Sequence, residues 1–205
     1  MSANYTTLVG AKTLAGSIKH FTNYSRIDSE SVLEDAQRLL YQTLRITEMK
    51  ARATLTLAVG DTTEPLPTGF LGFTGKGRDT AGNRYEHVVE QDVFEDARIY
   101  DGSDILSGQP SCFCVFDAVI NFDLKFDTAS TIFVPYYRSL PLLSGSNETN
   151  FLTDRFPHLL KQACHVSSHA FMKNWTAYNS ELPLLTSLIE RANSESDLMF
   201  IGAAY

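Results

Sequence analysis

Three histidines are the best candidates for chemistry in this sequence. His158, His165 and His169 follow one another at steps of seven and four residues, which stacks their imidazoles along one face of a predicted helix. Neutral imidazoles so placed can ligate a metal, and a metal-bound water is the nucleophile of many small hydrolases. Two or three nitrogens from one helix nevertheless leave a zinc site incomplete, and no His-Glu-x-x-His supplies a general base. The preferred reading is a polar helix face or a subunit contact, with a small metal-dependent hydrolase as the enzymatic alternative.

Other chemical signals are weaker. The cluster Gly72, Gly75, Lys76 and Gly77 invites a phosphate loop, but that loop needs Ser or Thr after its Gly-Lys, and here Gly77 follows Lys76. No segment matches the dinucleotide-binding glycine pattern, and no Gly-x-Ser-x-Gly marks a nucleophile. Cys112 and Cys114 fall on the same side of a predicted strand and read as small buried side chains. The acids Glu86, Glu90, Asp92, Glu95, Asp96 and Asp101 show no spacing that singles out an acid/base pair, so a solvated acidic lobe is expected. No catalytic or metal-binding residue is assigned, no cofactor is expected, and the chain is read as a non-enzyme.

These residues must be held by a folded body, and the composition supplies one. The 205 residues are 43% hydrophobic and 20% charged, which suits a globular chain with one core or a body carrying a smaller lobe. A formal charge of −7 argues against gripping nucleic acid by its phosphates. Three cysteines cannot pair completely and no secretory leader is recognised, so a reducing compartment is expected. No apolar run approaches the roughly 20 residues of a membrane span, and no membrane association is expected.

Along the chain the period changes twice. Leu8, Ala11, Leu14, Ala15, Ile18 and Phe21 recur at helical spacing and predict a first helix. A second, capped at Ser31 with Glu34 or a turn earlier at Asp28 or Ser29, buries Val32, Leu33, Ala36, Leu39, Leu40, Thr43 and Leu44. Period two then takes over in Ala51, Ala53, Leu55, Leu57 and Val59. A short strand at 70–74 leads to a polar, glycine-rich segment at 75–83, expected as an exposed loop or hairpin tip. Strands are predicted at 85–89, 112–119, 121–125 and around Ile132, Val134 and Tyr136, with a short helix at 92–99. Pro135 removes a ladder donor, so its strand is expected at an edge or beside a bulge. Pro157 opens a helix with Leu159, Leu160, Ala163, Cys164, Ser167, Ala170 and Phe171 on one stripe. A further helical pattern from Trp175 to Ile189 contains Pro183, where a kink or restart is expected.

In this order the chain resembles the head-to-tail adaptor (connector) family of tailed bacteriophages, especially short-tailed ones, over about residues 5–193. The carriers are LEDAQRLLYQTLRITEM at 33–49, LPTGFL at 66–71, the short helix around Phe94, VPYYRSLPLLS at 134–144 and ETNFLTDRFPHLLKQA at 148–163. The resemblance implies an α+β fold. A helical bundle body formed by N- and C-terminal helices, residues 1–49 and 150–193, would be interrupted by a β-rich insertion, residues 50–149, and followed by a C-terminal tail, residues 194–205. It further implies a virion structural protein of the head-tail interface, assembled in the host cytoplasm as a homo-oligomeric ring, typically a dodecamer. Such a ring docks beneath the portal protein, continues the channel through which double-stranded DNA passes without sequence-specific binding, and gives tail or nozzle proteins a docking surface. A tail-tube or tail-completion protein is the alternative within the same particle.

Leu198, Met199, Phe200 and Ile201 are consecutive apolar residues with no cap and no obvious local partner, so they are expected to be buried either by another subunit or by the tail folding back on its own body; carried onto this chain, the resemblance places portal binding on them and on Tyr205. The tail-facing loop would hold Lys76, Arg78, Asp79 and Asn83. The long 75–83 segment and the Pro183 break depart from the family pattern. Ring closure is physically coherent, because helices with a single apolar stripe are stabilised when a neighbouring copy covers what they cannot hide. Net negative charge likewise suits a channel wall that must not trap phosphates.

Overall fold

Where β-branched and aromatic residues alternate with polar ones, the chain forms strands with one buried face. The computed structural model describes residues 4–202, and side-chain surroundings for residues 4–195. Its helices are α1 (Tyr5–Val9), α2 (Ile18–Phe21), α3 (Ser29–Thr43), α4 (Gln91–Ala97), α5 (Phe151–Arg155), α6 (Pro157–Phe171) and α7 (Trp175–Gly202). Its strands are β1 (Lys50–Leu57), β2 (Thr63–Pro65), β3 (Phe70–Phe73), β4 (Gly77–Asp79), β5 (Arg84–His87), β6 (Tyr100–Asp101), β7 (Asp104–Ile105), β8 (Ser107–Gly108), β9 (Cys112–Phe116), β10 (Val119–Phe122), β11 (Lys125–Phe126) and β12 (Ser130–Arg138). The chain divides into two compact units, Met1–Glu48 with Leu140–Tyr205, and Met49–Ser139.

The second unit is built on an eight-stranded sheet of order β1-β12-β4-β5-β9-β10-β2, with β3 alongside β12. The two end strands, β1 and β2, come against each other, so the sheet is nearly closed and barrel-like. Ala53, Leu55 and Leu57 of β1 and Ile132, Val134 and Tyr136 of β12 face inward, joined by Tyr85, Phe113, Ile120, Phe122 and Phe126. The aromatic rings meet edge to face, as in Phe122 with Phe126 at 5.0 Å and Phe73 with Phe113 at 5.0 Å. Gly77 fits closely where three strands approach, since a Cβ there would lie 3.2 Å from Ile132 and 3.3 Å from Tyr85. On the outer face the Arg52 guanidinium lies 3.9 Å over the Phe133 ring.

Pro135 is not at an edge. β12 pairs with β1 from Ser130 to Tyr137, and on its other side β4 meets Ile132 and Phe133 while β3 meets Tyr136, Tyr137 and Arg138. The Pro135 carbonyl accepts from Thr74 N in the gap between β3 and β4. A strand residue directs its N and its C=O to the same side, so the missing N–H falls where neither partner strand needs it. The register shift between Tyr137 and Arg138 supplies the irregularity expected with it.

In the first unit, α3 packs on α6 and α6 on α7. Asp28 caps α3 by accepting from Glu30 N and Ser31 N, so the earlier of the two expected starts is the one used. Val32, Leu33, Ala36 and Leu40 are buried, whereas Thr43 is exposed and Leu39 half-buried. Pro157 occupies the first turn of α6, whose stripe is buried as far as Ser168, with Phe171 left exposed. Pro183 neither ends nor restarts a helix. α7 runs through it, and Asn179, whose carbonyl loses its partner N–H, is exposed to water, as is Pro183.

The expected fold class, an α+β helical bundle body formed by N- and C-terminal helices and interrupted by an insertion, is overturned. The protein is β-rich around a nearly closed barrel-like sheet, and its helices lie mostly toward the C-terminus. The expected first helix fails locally. α1 stops at Gly10, Gly16 adopts φ +93°, and Ser17 starts a separate single turn by accepting from His20 N. With those fragments in place of a long helix, α3 is the only long helix on the N-terminal side among the described residues.

Candidate functional site

The three histidines share α6 but not a site. His158 is exposed in the first turn and lines a cavity of about 290 Å³ with Arg155, Phe156, Leu188 and Arg191. The charges there are already matched, since Arg155 pairs with Glu48 and Arg191 Nε donates to Glu195 at 2.7 Å. His165 is half-buried, its ring stacked on Phe21 at 4.4 Å. Burial holds its imidazole below the ordinary value against the pull of Glu181, and His169 and Lys161 add to the depression. His169 Nδ1 is buried without a hydrogen-bond partner. Among the described residues, no group of three or more His, Cys, Asp and Glu could hold a metal ion.

The cysteines are packing residues. Cys112 and Cys114 are buried against Phe94 of α4, and Cys164 is buried in α6. Burial pushes the Cys164 thiol up to about 12. Burial, followed by the Asp123 carboxylate, raises Cys112 to about 11. Both stay protonated near neutrality and are poor nucleophiles.

A buried polar knot positions the segment between β12 and α5. Gln37, fully buried on α3, accepts from Leu143 N at 2.8 Å and donates to Leu33 O at 3.3 Å. Asn150 caps α5 through a capping box with Thr153, and its Nδ2 lies 3.4 Å from Gln37 Oε1, Tyr41 Oη and Pro141 O. Burial lifts the Tyr41 hydroxyl to about 12, so it stays a neutral donor to Pro141 O. Sequence reasoning missed Gln37, although a lone amide at a helical core position is the signal that marks it. Asn150 with Thr153 three residues later was a readable cap signature.

The segment expected as an exposed loop or hairpin tip belongs to a hairpin of the sheet, β4 and β5, with residues 80–83 at its tip and β4 also paired to β12. Lys76, Arg78 and Asn83 are exposed, and Lys76 pairs with Glu86 at 3.0 Å. Asp79 turns inward and accepts from Asn83 N and Nδ2 at 2.8 Å and from Tyr85 Oη at 3.0 Å. Burial opposes its charge, but the bonds from Asn83 and Tyr85 prevail and hold the carboxyl below its ordinary value. Gln109 Nε2 donates to the same Tyr85 hydroxyl at 2.7 Å.

Exposed apolar side chains gather in several stretches. In the β unit Val89, Val93, Ile99, Tyr100 and Leu106 flank α4 and the β6–β7 hairpin, with Val89 78% exposed. In the helical unit Phe171 and Trp175 are exposed at the α6–α7 corner, Leu184 farther along α7, and Leu14 and Tyr24 in the N-terminal segment. The expected portal-binding side chains, Leu198, Met199, Phe200, Ile201 and Tyr205, lie outside the described residues. No described helix is long and apolar enough to cross a membrane.

Comparison with known families gives one result that spans the molecule. A family model described as SU10 adaptor protein matches residues 8–196. No curated protein matches the chain.

Proposed function

Because the chain belongs to the SU10 adaptor protein family, we propose that it forms a ring at the head-tail junction of a short-tailed phage, docked beneath the portal. Membership makes this a phage structural adaptor-type protein and a component of the virion. On the proposed reading, twelve copies assembled in the host cytoplasm close a ring that continues the DNA channel. Tail or nozzle proteins attach to its far side. The portal contact falls on Leu198, Met199, Phe200, Ile201 and Tyr205, and the tail-facing surface includes Lys76, Arg78 and Asn83, with Asp79 holding their hairpin. No catalytic step is assigned.

The observation that carries the reading is the family match from residue 8 to residue 196, which takes in both compact units. Exposed Val89, Ile99, Trp175 and Leu184 support it physically, since a subunit designed to stand alone would leave fewer such side chains in water. The formal charge of −7 suits a lumen that lets phosphates pass.

The test is to mix purified chain with portal assemblies, without any tail protein, and to measure particle mass. Portal-bound rings are expected, and deleting residues 197–205 should abolish portal binding while circular dichroism still shows a folded chain. A monomer that ignores portals and joins only preassembled tail parts would overturn the reading in favour of a tail-completion protein.

A further inference from the structure

Two exposed stretches of this chain complement each other in charge and in apolar content. The first follows β5 in the β unit. From Val89 to Asp104, Val89, Val93, Ile99 and Tyr100 are exposed and are interspersed with the exposed acids Glu90, Asp92, Asp96 and Asp101. Those four carboxylates make no ion pair with any described residue. The neighbouring acids that do pair, Glu95 with Arg98 and Asp104 with Lys125, are neutralised within the unit. What remains outward is an apolar surface with a negative rim.

The second stretch is the N-terminal segment of the helical unit. Between Asn4 and Ile27 there is no acidic residue, while Lys12, Lys19 and Arg26 are cationic. Lys12 and Arg26 are exposed and form no ion pair with any described residue, and Lys19, partly exposed, is drawn toward Asp28. Leu14 and Tyr24, each 40% exposed, stand among them. This segment is broken into α1, an irregular 10–17 turn and α2 rather than running as one helix.

We infer that the acid-rimmed Val89–Asp104 surface of one copy docks on the cationic Lys12–Arg26 segment of the next copy. The occupant is therefore a second copy of this chain, bound head to tail. The two faces are different, so each copy offers one of each, and the contact propagates from copy to copy, giving a ring where the rotation between neighbours closes. Burying the valines, Ile99 and Tyr100 against Leu14 and Tyr24 provides the apolar centre, and the opposite charges at the rim set the register and exclude the reversed pairing. This inference rests on the ring reading and assigns that ring its lateral contact.

The test uses the full chain in three reversed forms. One carries Asp92→Lys with Asp96→Lys, one carries Lys12→Glu with Arg26→Glu, and one carries all four. All four positions are exposed, so circular dichroism should match wild type, with at most a small drop in melting temperature from placing a cation in the first turn of α4. Each two-site form should raise the concentration needed for assembly, alone or on portals, by about a hundredfold or more. The four-site form should assemble again, because its reversed faces match. A mixture of the two two-site forms should also assemble, with the copies alternating.

Wild-type assembly should also weaken as salt shortens the reach of the rim charges. Rings from either two-site form at wild-type concentrations would overturn this contact and leave the ring reading intact. Wild-type chain that stays monomeric with and without portals would overturn both. Failure of the four-site form and of the mixture to recover would show that the reversed side chains act separately, and would likewise overturn the contact.

Discussion

Gln37→Leu removes the acceptor at the centre of the polar knot while keeping most of the side-chain volume. In the wild type, Gln37 Oε1 takes the Leu143 N–H at 2.8 Å in a fully buried position. Its other contacts, to Leu33 O at 3.3 Å and from Asn150 at 3.4 Å, are long and contribute little. The substitution therefore leaves one buried amide donor without a partner, which costs about 1–3 kcal/mol, offset in part by a better-buried apolar side chain. A net loss of about 2 kcal/mol is expected, or about 4–8 °C in melting temperature for a chain of this size.

Asn150→Ala deletes the α5 cap and should cost about 1 kcal/mol. Urea titration followed by far-UV circular dichroism reads the helical unit, where most of the helix lies. Because the Gln37–Asn150 bond is long, the double variant should lose nearly the sum of the two single effects. Gln37→Leu at wild-type stability would refute the reasoning, since it would mean that Leu143 N–H finds another partner or water.

Three further perturbations follow from named geometry. Pro183→Ala restores an N–H facing the Asn179 carbonyl inside α7 and should stabilise the helical unit by about 1–3 kcal/mol in the same titration. Gly77→Ala drives a methyl against Ile132, Tyr85 and Val134 and should destabilise the β unit by about 1–3 kcal/mol, measured by hydrogen exchange of the barrel amides. His165, whose imidazole burial holds below its ordinary value of 6.5, is more readily protonated when the chain unfolds. Its contribution is therefore present at neutral pH and lost as pH falls from about 6.5 toward the lower folded value. His165→Gln should flatten that part of the pH–stability curve, and a curve of unchanged slope would count against the assignment.

Local pattern carried the strands whose residues alternate. Val134 and Tyr136 of β12 and Leu55 and Leu57 of β1 face inward as their period requires, and Cys112 and Cys114 are buried as small side chains. What local pattern could not carry was pairing at a distance. β12 accommodates Pro135 in the interior of a sheet because β3 and β4 leave a gap, and nothing near Pro135 in sequence reveals that gap. The turn between β9 and β10 places Asp117 and Ala118 at φ 54° and 60°, so the strand expected through Val119 breaks earlier. The helical spacing from Leu8 to Phe21 was real but gave Gly10, Gly16 and the capping hydroxyl of Ser17 too little weight.

For the candidate surfaces, residue type was readable and exposure was not. Val89 and Ile99 look like core residues in sequence, and only the tertiary arrangement leaves them in water. The acids from Glu90 to Asp101 were expected as a solvated lobe, but the apolar residues among them were not recognised as part of the same face. The histidine row was correctly placed on one helix, yet Phe21, Arg155 and the helix start give its members different neighbours.

The β unit enters on β1 and leaves on β12, and these strands run antiparallel with Lys50 opposite Tyr137. Paired backbones of that kind stand about 5 Å apart. A cassette whose two ends are so close can be excised and its place taken by a tight turn, or exchanged for a longer or shorter module, without stretching the chain on either side.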